Sequence, residues 1–428
     1  MRKILTLLAT LALGACAYPA HPPALASVTQ PASPPATLEQ RSPVTILVSI
    51  DGFRPDYLNR GVTPHLSALA TGGVSAAMRP SFPSKTFPNH WTLVTGLVPD
   101  RHGIVANSFT DPARPTEPFT MASDDPFWWN AAEPIWVTAE KAGIRTATMF
   151  WPGSNVAWGG TAAQAWPHRI TGGTRPADWQ QFNQQVSDHQ RVDAVIDWLR
   201  RPAETRPRLV TLYFDEVDTA GHHNGPDAPE TTQAIAAVDQ AIGRLVEGLG
   251  RLNQPANLVI VADHGMAATS STRTIALDTL LDPADYVLND SGPYATFTPQ
   301  PGHEAAFAAR LLAKHPHMQC WRKEALPARF RYGRNRRIPP FLCLAETGWT
   351  ISAKAPDRAS SGGTHGYDPA DPDMAALFIA NGPAFTPGRR LPPFDNTAVA
   401  PMLRDLIGLP AGQGLDGTDA PFQKVLRR

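Results

Sequence analysis

Three short apolar segments, each followed by one or more acidic residues, constrain the fold of this chain more than any other feature of its sequence. They span residues 45–50, 209–214 and 257–262. Continuous apolar runs of this length are typical of strands buried in a parallel sheet. Helical patterns occupy residues 191–200 and 232–249, and strands that alternate with helices indicate an α/β fold. We therefore predict a central, mostly parallel sheet with helices on both faces.

The acidic residues after these segments are candidate metal ligands. Ligands bind at the carboxyl edge of such a sheet, although one aspartate there is usually a cap or turn residue. Here, His222 follows Asp218 at a helical spacing of four, and His264 directly follows Asp263. Carboxylates combined with imidazoles, without thiolates, suit catalytic Zn²⁺. The candidate ligands are Asp51, Asp218, His222, Asp263, His264 and, in a glycine-rich loop where an exposed turn histidine is the alternative, His365.

The proline-rich segment 83–90 contains a candidate nucleophile. Its prolines argue against a helix interior at its start, whereas residues 91–95 can begin a helix. A hydroxyl at a helix N-terminus is well placed for this role, because free N–H groups and the helix dipole stabilise negative charge there. Ser84 and Thr86 both fit this position, and either could instead be a simple helix cap.

The beginning of the chain has the pattern of a bacterial export signal. A basic start precedes an apolar stretch at 4–13, and the sequence Leu-Gly-Ala-Cys then resembles the lipobox of bacterial lipoproteins. We predict a signal peptide over 1–15, a lipidated Cys16 and a Pro/Ala-rich tether over 16–42, followed by a folded domain over 43–428. The predicted location is the periplasm, with membrane contact through the lipid. The alternative is an ordinary signal peptide cleaved near the same point, with Cys16 incidental.

The two remaining cysteines, Cys320 and Cys343, lie in a segment without a recognisable motif, residues 270–351. Because an exported protein folds in an oxidising compartment, we expect a disulfide between them, with two separate buried thiols as the alternative. We expect the segment to be a small α/β insertion or lid. Its basic run, residues 329–337, is typical of a solvated face.

The charge balance argues against one class of partner. The chain has 38 Lys and Arg residues and 38 Asp and Glu residues, so its formal net charge is zero. Non-specific nucleic-acid binding requires a surplus of basic side chains. We therefore expect no nucleic-acid polymer as a partner.

Seven short motifs, in order along the chain, resemble those of one enzyme family. They are SIDGFR at 49–54, FPSKTFPNH at 82–90, HGIVAN at 102–107, FWPGS at 150–154, DTAGH at 218–222, ADHGM at 262–266 and GTHGY at 363–367. Together they resemble the nucleotide pyrophosphatase/phosphodiesterase family of the alkaline phosphatase superfamily. The resemblance implies an alkaline-phosphatase-like fold, a phosphodiesterase catalytic domain over residues 43–428 and an exported bacterial member of the family.

The resemblance also implies two Zn²⁺ ions and a threonine nucleophile. It places Asp51, Thr86, Asp263 and His264 on one zinc ion and Asp218, His222 and His365 on the other. Thr86 would attack phosphorus and form a covalent intermediate, since a zinc ion lowers the pKa of a bound hydroxyl. Asn107 would donate a hydrogen bond to a phosphate oxygen, unless its side chain caps a turn.

The same resemblance implies hydrolysis of nucleotide phosphodiesters or phosphoanhydrides to nucleoside monophosphates. Lys85 would lie near the phosphate, and Phe87 would stack on the base with Phe182 opposite. Trp151 and Tyr213 are further candidates for the walls of the base site, although each could instead belong to the core. Because stacking tolerates every base, the expected preference is for nucleotides as a class.

Two alternatives stay open at this point. Within the same chemistry, the substrate could be a phospholipid head group, a phosphonate or a phosphate monoester. A monoester would favour an arginine near Thr86, where Arg79 is the nearest upstream. From another class, the chain could be a non-catalytic zinc-binding surface protein, although the intact Thr86 and the complete ligand set argue against this. The sequence indicates no particular oligomeric state.

Overall fold

A nine-stranded sheet forms the centre of this protein in a computed structural model that describes residues 39–427. Its strands, numbered along the chain, are β1 (Val44–Ile50), β2 (Val74–Arg79), β3 (Thr146–Met149), β4 (Asp178–Gln180), β5 (Leu209–Phe214), β6 (Ala256–Val261), β7 (Ala376–Asn381), β8 (Arg389–Arg390) and β9 (Phe394–Asp395). Their spatial order is β8-β2-β7-β6-β1-β5-β3-β4, and β9 also pairs with β2. β1 is parallel to its neighbours β5 and β6, whereas β7 is antiparallel to β6 and β2. The prediction of an α/β fold with a mostly parallel sheet is confirmed.

The three apolar segments form the middle of this sheet. Every residue of β1 and β5 is buried, as expected for strands that are covered on both faces. The observed bounds of β5 agree with the predicted ones, and β1 and β6 each begin one residue earlier than predicted. Because these three strands are neighbours in the middle of the sheet, their carboxyl ends lie side by side at the centre of one sheet edge.

Helices cover both faces of the sheet. The α-helices of the described chain are α1 (Pro64–Gly72), α2 (Thr86–Thr95), α3 (Pro99–His102), α4 (Pro126–Trp129), α5 (Ile135–Lys141), α6 (Asp188–Leu199), α7 (Glu216–Asn224), α8 (Pro229–Arg251), α9 (Glu304–Leu311) and α10 (Val399–Ile407). The buried residues of α8 recur at helical spacing, so one apolar face packs against the domain. α6 begins with a capping box, in which the Ser187 and Gln190 side chains each accept the other residue's N–H. These two helices contain most of the two predicted helical patterns.

Several N-terminal predictions concern residues that the structure does not describe. The predicted signal peptide over 1–15, Cys16 and nearly all of the predicted tether over 16–42 lie outside residues 39–427. Glu39 and Gln40 have no regular secondary structure, and from Arg41 onward the described chain forms one compact unit. Within these described residues, no helix combines the length and the apolar character needed to cross a membrane.

A smaller antiparallel sheet lies within the segment predicted to be an insertion. Its four strands are Tyr286–Asp290, Tyr294–Pro299, Met318–Arg322 and Phe341–Ala345. This sheet and α9 share a hydrophobic cluster of their own, and a disulfide joins Cys320 to Cys343 across neighbouring strands. The bounds of the insertion, residues 270–351, stay a prediction. The two-stranded sheets of the described chain pair Phe109–Asp111 with Arg114–Phe119, Thr161–Ala162 with Ile170–Thr171, Ala267–Ser270 with Ser361–Thr364, and Thr274–Ala276 with Thr350–Ser352.

The basic run at residues 329–337 is not a solvated face at its C-terminal end, so that prediction is wrong for Arg337. Only 7% of the Arg337 side chain is exposed, and its Nε donates to the buried Asp111 carboxylate at 2.7 Å. Its Nη1 also donates to the backbone carbonyls of Gly103 and Trp128, each at 2.8 Å. This buried ion pair attaches the segment predicted to be an insertion to the chain before β3, to which Asp111 belongs.

Replacing Arg337 should therefore destabilise the whole fold. Arg337→Met leaves the buried Asp111 carboxylate with only the solvent-exposed Arg336 and the backbone N–H of Ala113 as partners. Loss of one member of a buried pair costs about 3–5 kcal/mol. Arg336 contacts the same carboxylate at 2.9 Å with 61% of its side chain exposed, so Arg336→Met is the matched control. We expect the control to cost about 1 kcal/mol or less. Urea unfolding measures both losses, and equal small losses would contradict the role of Arg337.

Candidate active site

The carboxyl ends of the central strands bring two predicted ligands together. Ile50 lies opposite Phe214 in the register, so β1 and β5 end at the same level. Asp51 directly follows β1, and Asp263 follows β6 after one intervening residue. Both carboxylates are buried, and Oδ1 of Asp263 accepts the N–H of Gly52 at 3.3 Å. The backbone of one strand end therefore holds the side chain of the other.

Helix α7 supplies the next two predicted ligands. Asp218 and His222 are four residues apart on this helix, and Oδ2 of Asp218 lies 3.4 Å from Nε2 of His222. Gly52 allows the helix to approach the end of β1. Its φ is +67°, and a Cβ at this position would lie 3.1 Å from atoms of Asp218. A larger residue here would displace Asp218.

A short sheet carries His365 to the same place. Strand Ser361–Thr364, which precedes His365, pairs with strand Ala267–Ser270, which follows His264 closely in sequence. The His264 and His365 rings consequently stack, with centroids 3.4 Å apart and an interplanar angle of 11°. Since His365 is 2% exposed, the alternative of an exposed turn histidine is wrong.

The three histidines direct the same ring nitrogen toward the cluster. The Nδ1 atoms lie near backbone carbonyl oxygens, that of His222 at 2.9 Å from Gly363, that of His264 at 2.9 Å from Gly265 and that of His365 at 2.7 Å from Ser84. Carbonyl oxygens only accept hydrogen bonds, so each Nδ1 carries a proton, and in the neutral imidazole that binds a metal each Nε2 presents a lone pair. The Nε2 atoms of His222 and His365 are 3.1 Å apart. Backbone contacts of this kind orient metal-binding histidines.

The carboxylates are also left with unused acceptors. Oδ1 of Asp51, Oδ1 of Asp218 and Oδ2 of Asp263 are buried and accept no hydrogen bond from the described residues. Oδ2 of Asp263 lies 2.8 Å from Nε2 of His264, so when this imidazole is neutral two acceptors face each other there as well. Burial, reinforced by the neighbouring carboxylates, raises the pKa of Asp51 well above its usual range. Without positive charge between them, these groups repel one another.

These observations fit bound cations. The ligand atoms of Asp51, Asp263 and His264 lie within 4.8 Å of one another, and so do those of Asp218, His264 and His365. His264 thus borders both groups, and His222 extends the second group through its contacts with Asp218 and His365. Carboxylate and imidazole donors without thiolates suit Zn²⁺ and similar divalent ions. All six residues proposed as ligands from the sequence, Thr86 aside, lie in this cluster.

Thr86 is the first residue of α2, which begins five residues before the helix predicted at 91–95. Pro88 is compatible with this start, because the third position of a helix has no N–H that requires an intrahelical partner. The Thr86 hydroxyl lies 3.3 Å from Nε2 of His264 and borders the cluster. The other candidate, Ser84, is fully buried and donates its hydroxyl proton to the Tyr367 carbonyl at 3.1 Å. The geometry therefore favours Thr86 as the nucleophile.

Asn107 and Lys85 flank this helix start. Oδ1 of Asn107 accepts the N–H of Phe87 at 2.9 Å, and because an N–H only donates, the amide NH₂ of Asn107 stays available as a donor. Lys85 is half-buried, and burial lowers the pKa of its ammonium. Its Nζ lies 5.8 Å from the ring centroid of Tyr294. The two residues adjoin Thr86 but do not line the cavity that opens beside it.

A cavity of about 420 Å³ opens beside the cluster and contains the predicted base-site residues. Its walls include Asp51, Thr86, Asp218, Phe87, Trp151, Phe182 and Tyr213. Phe182 is 47% exposed, as a side chain that contacts a ligand can be. Tyr213 also has a second contact, because its hydroxyl donates to Oδ2 of Asp51 at 2.6 Å. Tyr213 can therefore orient Asp51 and also form part of the cavity wall.

Sequence reasoning assigned no role to His90, which lies one turn after Thr86. Nδ1 of His90 donates to the Thr86 carbonyl at 2.9 Å and lies 3.4 Å from Oδ2 of Asp263. Its Nε2 accepts the Ser49 hydroxyl at 2.8 Å. The spacing of four residues from Thr86 was the available signal, because it places His90 on the same face of α2.

Arg191 is a second residue that the sequence did not single out. It is fully buried, and its Nη1 donates to the Tyr213 carbonyl at 3.0 Å and to Oδ1 of Asp215 at 2.8 Å. Gln184 donates to the other oxygen of Asp215 at 3.0 Å. Gln184 and Phe182 share one irregular segment, so this network attaches a cavity wall to the end of β5. An arginine within the apolar pattern of α6 was the only sequence signal.

Comparisons with known proteins agree with this geometry. A sequence model of the family described as type I phosphodiesterase/nucleotide pyrophosphatase matches residues 45–368. An uncharacterized pyrophosphatase/phosphodiesterase of Schizosaccharomyces pombe is 37% identical over 386 residues, which cover 86% of this chain and 77% of the relative. A bis(5'-adenosyl)-triphosphatase of Xenopus laevis is 36% identical over 381 residues, 88% of this chain and 80% of the relative.

Solved structures are similar over the same region. Human ectonucleotide pyrophosphatase/phosphodiesterase 5 superimposes with a TM-score of 0.83 at 34% identity, covering 90% of this chain and 100% of the human one. The murine counterpart has the same score, identity and coverage in a structure of an inactive threonine-to-alanine variant in complex with AMP.

Proposed function

Since the chain belongs to the type I phosphodiesterase/nucleotide pyrophosphatase family, we propose that it hydrolyses nucleotide phosphodiesters and phosphoanhydrides to nucleoside monophosphates through a covalent threonine intermediate. The chain is a hydrolase of this family, and its alkaline-phosphatase-like fold is as predicted. The observation that carries the proposed mechanism is the Thr86 hydroxyl, which lies at a helix N-terminus 3.3 Å from the buried carboxylate–imidazole cluster.

The cluster is proposed to hold two zinc ions. One would be held by Asp51, Thr86, Asp263 and His264, and the other by Asp218, His222 and His365. The unused carboxylate oxygens and the converging Nε2 lone pairs support this assignment. When bound, the ions supply Lewis-acid stabilisation of negative charge on the reacting oxygens.

Side chains and backbone groups of the protein then position the reacting atoms and stabilise charge on them. Thr86 forms a bond from Oγ1 to phosphorus while the bond from phosphorus to the leaving group breaks, and water later cleaves the threonine ester. The N-terminus of α2 favours negative charge at this oxygen. Asn107, fixed through its Oδ1, can donate its NH₂ to a non-bridging phosphate oxygen. His90 holds the first turn of α2 against Asp263 through the Thr86 carbonyl.

The cavity favours a nucleotide over the alternative substrates. Phe87 and Phe182 both line it, and their ring faces can stack on a base, which a glycerol group does not require. None of the described residues that line it is Arg or Lys. The cavity therefore has no guanidinium for the bidentate hydrogen bonds that suit a phosphate monoester dianion. The AMP complex of murine ectonucleotide pyrophosphatase/phosphodiesterase 5 supports the same choice. The intact Thr86 argues against a non-catalytic zinc-binding protein.

Export to the periplasm and a lipid anchor at Cys16 complete the proposal. They rest on the N-terminal sequence pattern, which lies outside the described residues. The disulfide between Cys320 and Cys343 supports an oxidising compartment.

The nucleophile can be tested by single substitutions. Thr86→Ala should abolish turnover of a nitrophenyl nucleotide ester while most bound metal is retained, because six other ligands remain. Thr86→Ser should keep partial activity, since it keeps a hydroxyl, and Ser84→Ala serves as the control for the loop. Mass spectrometry of acid-quenched wild-type reactions should find the nucleotidyl group on Thr86. Near wild-type turnover by Thr86→Ala would refute the covalent mechanism.

The base site can be tested by a selectivity ratio. Stacking on one aromatic side chain is worth about 1–3 kcal/mol per base. Phe87→Ala should therefore lower kcat/KM for a nucleotide ester, relative to bis-nitrophenyl phosphate, by about 5- to 150-fold. Phe182→Ala should lower the same ratio if it forms the opposite wall. Equal losses on the two substrates would mean that Phe87 only supports the nucleophile helix.

A further inference from the structure

One loop of the segment predicted to be an insertion contacts both parts of the chain that carry Thr86 and Asn107. Residues 323–340 connect two neighbouring strands of the smaller sheet, and the disulfide between Cys320 and Cys343 joins these strands. We call residues 323–340 the disulfide loop. Because it contributes no residue to the aromatic cavity or to the carboxylate–imidazole cluster, it can affect the reaction only through other residues.

The first contact of the disulfide loop is with the segment that leads to the nucleophile. Phe82 lies four residues before Thr86, and its ring stacks on that of Phe330 with centroids 4.4 Å apart. The Tyr332 ring meets Phe82 edge to face, with centroids 5.3 Å apart. All three aromatic side chains are buried, so their contact holds the loop against the chain before α2.

The second contact is with residues 103–108, which contain Asn107 and form neither helix nor strand. The Tyr332 hydroxyl donates to the buried backbone carbonyl of Val105 at 2.9 Å. A buried carbonyl in irregular chain requires such a donor, because no helix or sheet supplies one. Tyr332 therefore fixes the backbone two residues before Asn107.

The disulfide loop is held in place on both sides of Tyr332. The stacking on Phe82 lies before it in sequence. After it, the Asp100 carboxylate accepts the backbone N–H groups of Gly333, Arg334 and Asn335 at 3.0, 2.9 and 2.8 Å. The hydroxyl that contacts the Asn107 segment consequently comes from a fixed part of the chain.

Asn107 depends on this support because its own side chain has one restraint at the nucleophile helix. That restraint is the Phe87 N–H, which donates to Oδ1 at 2.9 Å. The position of the amide NH₂ then depends on the backbone of residues 103–108. A group that stabilises charge in a transition state loses most of its effect when it is displaced by about 1 Å. The Val105 contact is the restraint on that backbone.

We propose, resting on the proposed function, that Tyr332 is a positioning residue of the reaction, which holds the Asn107 amide at the phosphate through the Val105 carbonyl. Its effect is largest during the displacement, when Thr86 bonds to phosphorus and negative charge grows on the non-bridging oxygen that Asn107 contacts. Tyr332 itself touches neither the nucleotide cavity nor its aromatic walls. The disulfide loop thus supports the chemical step rather than nucleotide binding.

Tyr332→Phe tests this assignment, because it removes the hydroxyl and keeps the ring against Phe82. We expect kcat for a nitrophenyl nucleotide ester to fall by about 10- to 100-fold with little change in KM, which is less than the loss of a whole donor of this kind. Bound metal should stay at the wild-type level. Tyr367→Phe is the matched control, since it removes a hydroxyl that donates to the Trp349 carbonyl at 2.8 Å, and it should leave kcat near the wild-type value.

A double-mutant cycle separates positioning from a general structural effect. In the Asn107→Ala background there is no amide to position, so Tyr332→Phe should lower kcat no further. Equal fold losses in the two backgrounds would overturn the proposal, and so would a wild-type kcat for Tyr332→Phe alone. If Tyr332→Phe misfolds, Asp100→Ala, which releases the loop at residues 333–335, is taken through the same cycle and should show the same dependence on Asn107.

Hydrogen exchange separates this inference from the proposed function. Backbone amides of residues 103–111 should exchange faster in Tyr332→Phe than in the wild-type protein, whereas those of β1 and β6 should be unchanged. Unchanged exchange over residues 103–111 in an enzyme that hydrolyses the ester would overturn the positioning role alone. A wild-type enzyme that fails to hydrolyse the ester would instead contradict the proposed function, and the exchange result would still decide whether Tyr332 holds the Asn107 segment.

Discussion

Three carboxylates and three imidazole nitrogens converge at the carboxyl edge of the sheet, and the repulsion among the carboxylates is the constraint on which the site depends. Oδ1 of Asp51, Oδ1 of Asp218 and Oδ2 of Asp263 accept no hydrogen bond from the described chain. Buried groups of this kind are stable only when opposite charge lies between them. The fold holds them in place through backbone contacts, so the cluster is organised before any cation binds.

Much of the surrounding structure brings these carboxylates and imidazoles together. The central strands end at one level, and Gly52 lets α7 bring Asp218 within contact of the end of β1. The N-terminus of α2 adds Thr86, and His90 attaches its first turn to Asp263. Asp218 also lines the cavity that contains Phe87 and Phe182, so the cluster and this cavity share a side chain.

The sequence predicted the features that depend on a pattern of neighbouring residues. Continuous apolar runs indicated the buried strands, and the four-residue spacing of Asp218 and His222 indicated a shared helix face. Long-range contacts were beyond such patterns. The start of α2 at Thr86 was missed because Pro88 looks like a helix breaker, although the first turn tolerates it. The burial of Arg337 depends on Asp111, more than 200 residues away, which no local pattern in a basic run indicates.

Metal analysis of the purified protein tests the central claim most directly. We expect about two zinc ions per chain, as two-metal catalysis requires. His222→Ala should lower the content to about one, because it removes a ligand of the second ion. His223→Ala, which changes the exposed neighbouring imidazole, should retain both. A single zinc ion per chain that is fully retained after His222→Ala would contradict the assignment of Asp218, His222 and His365 to a second metal.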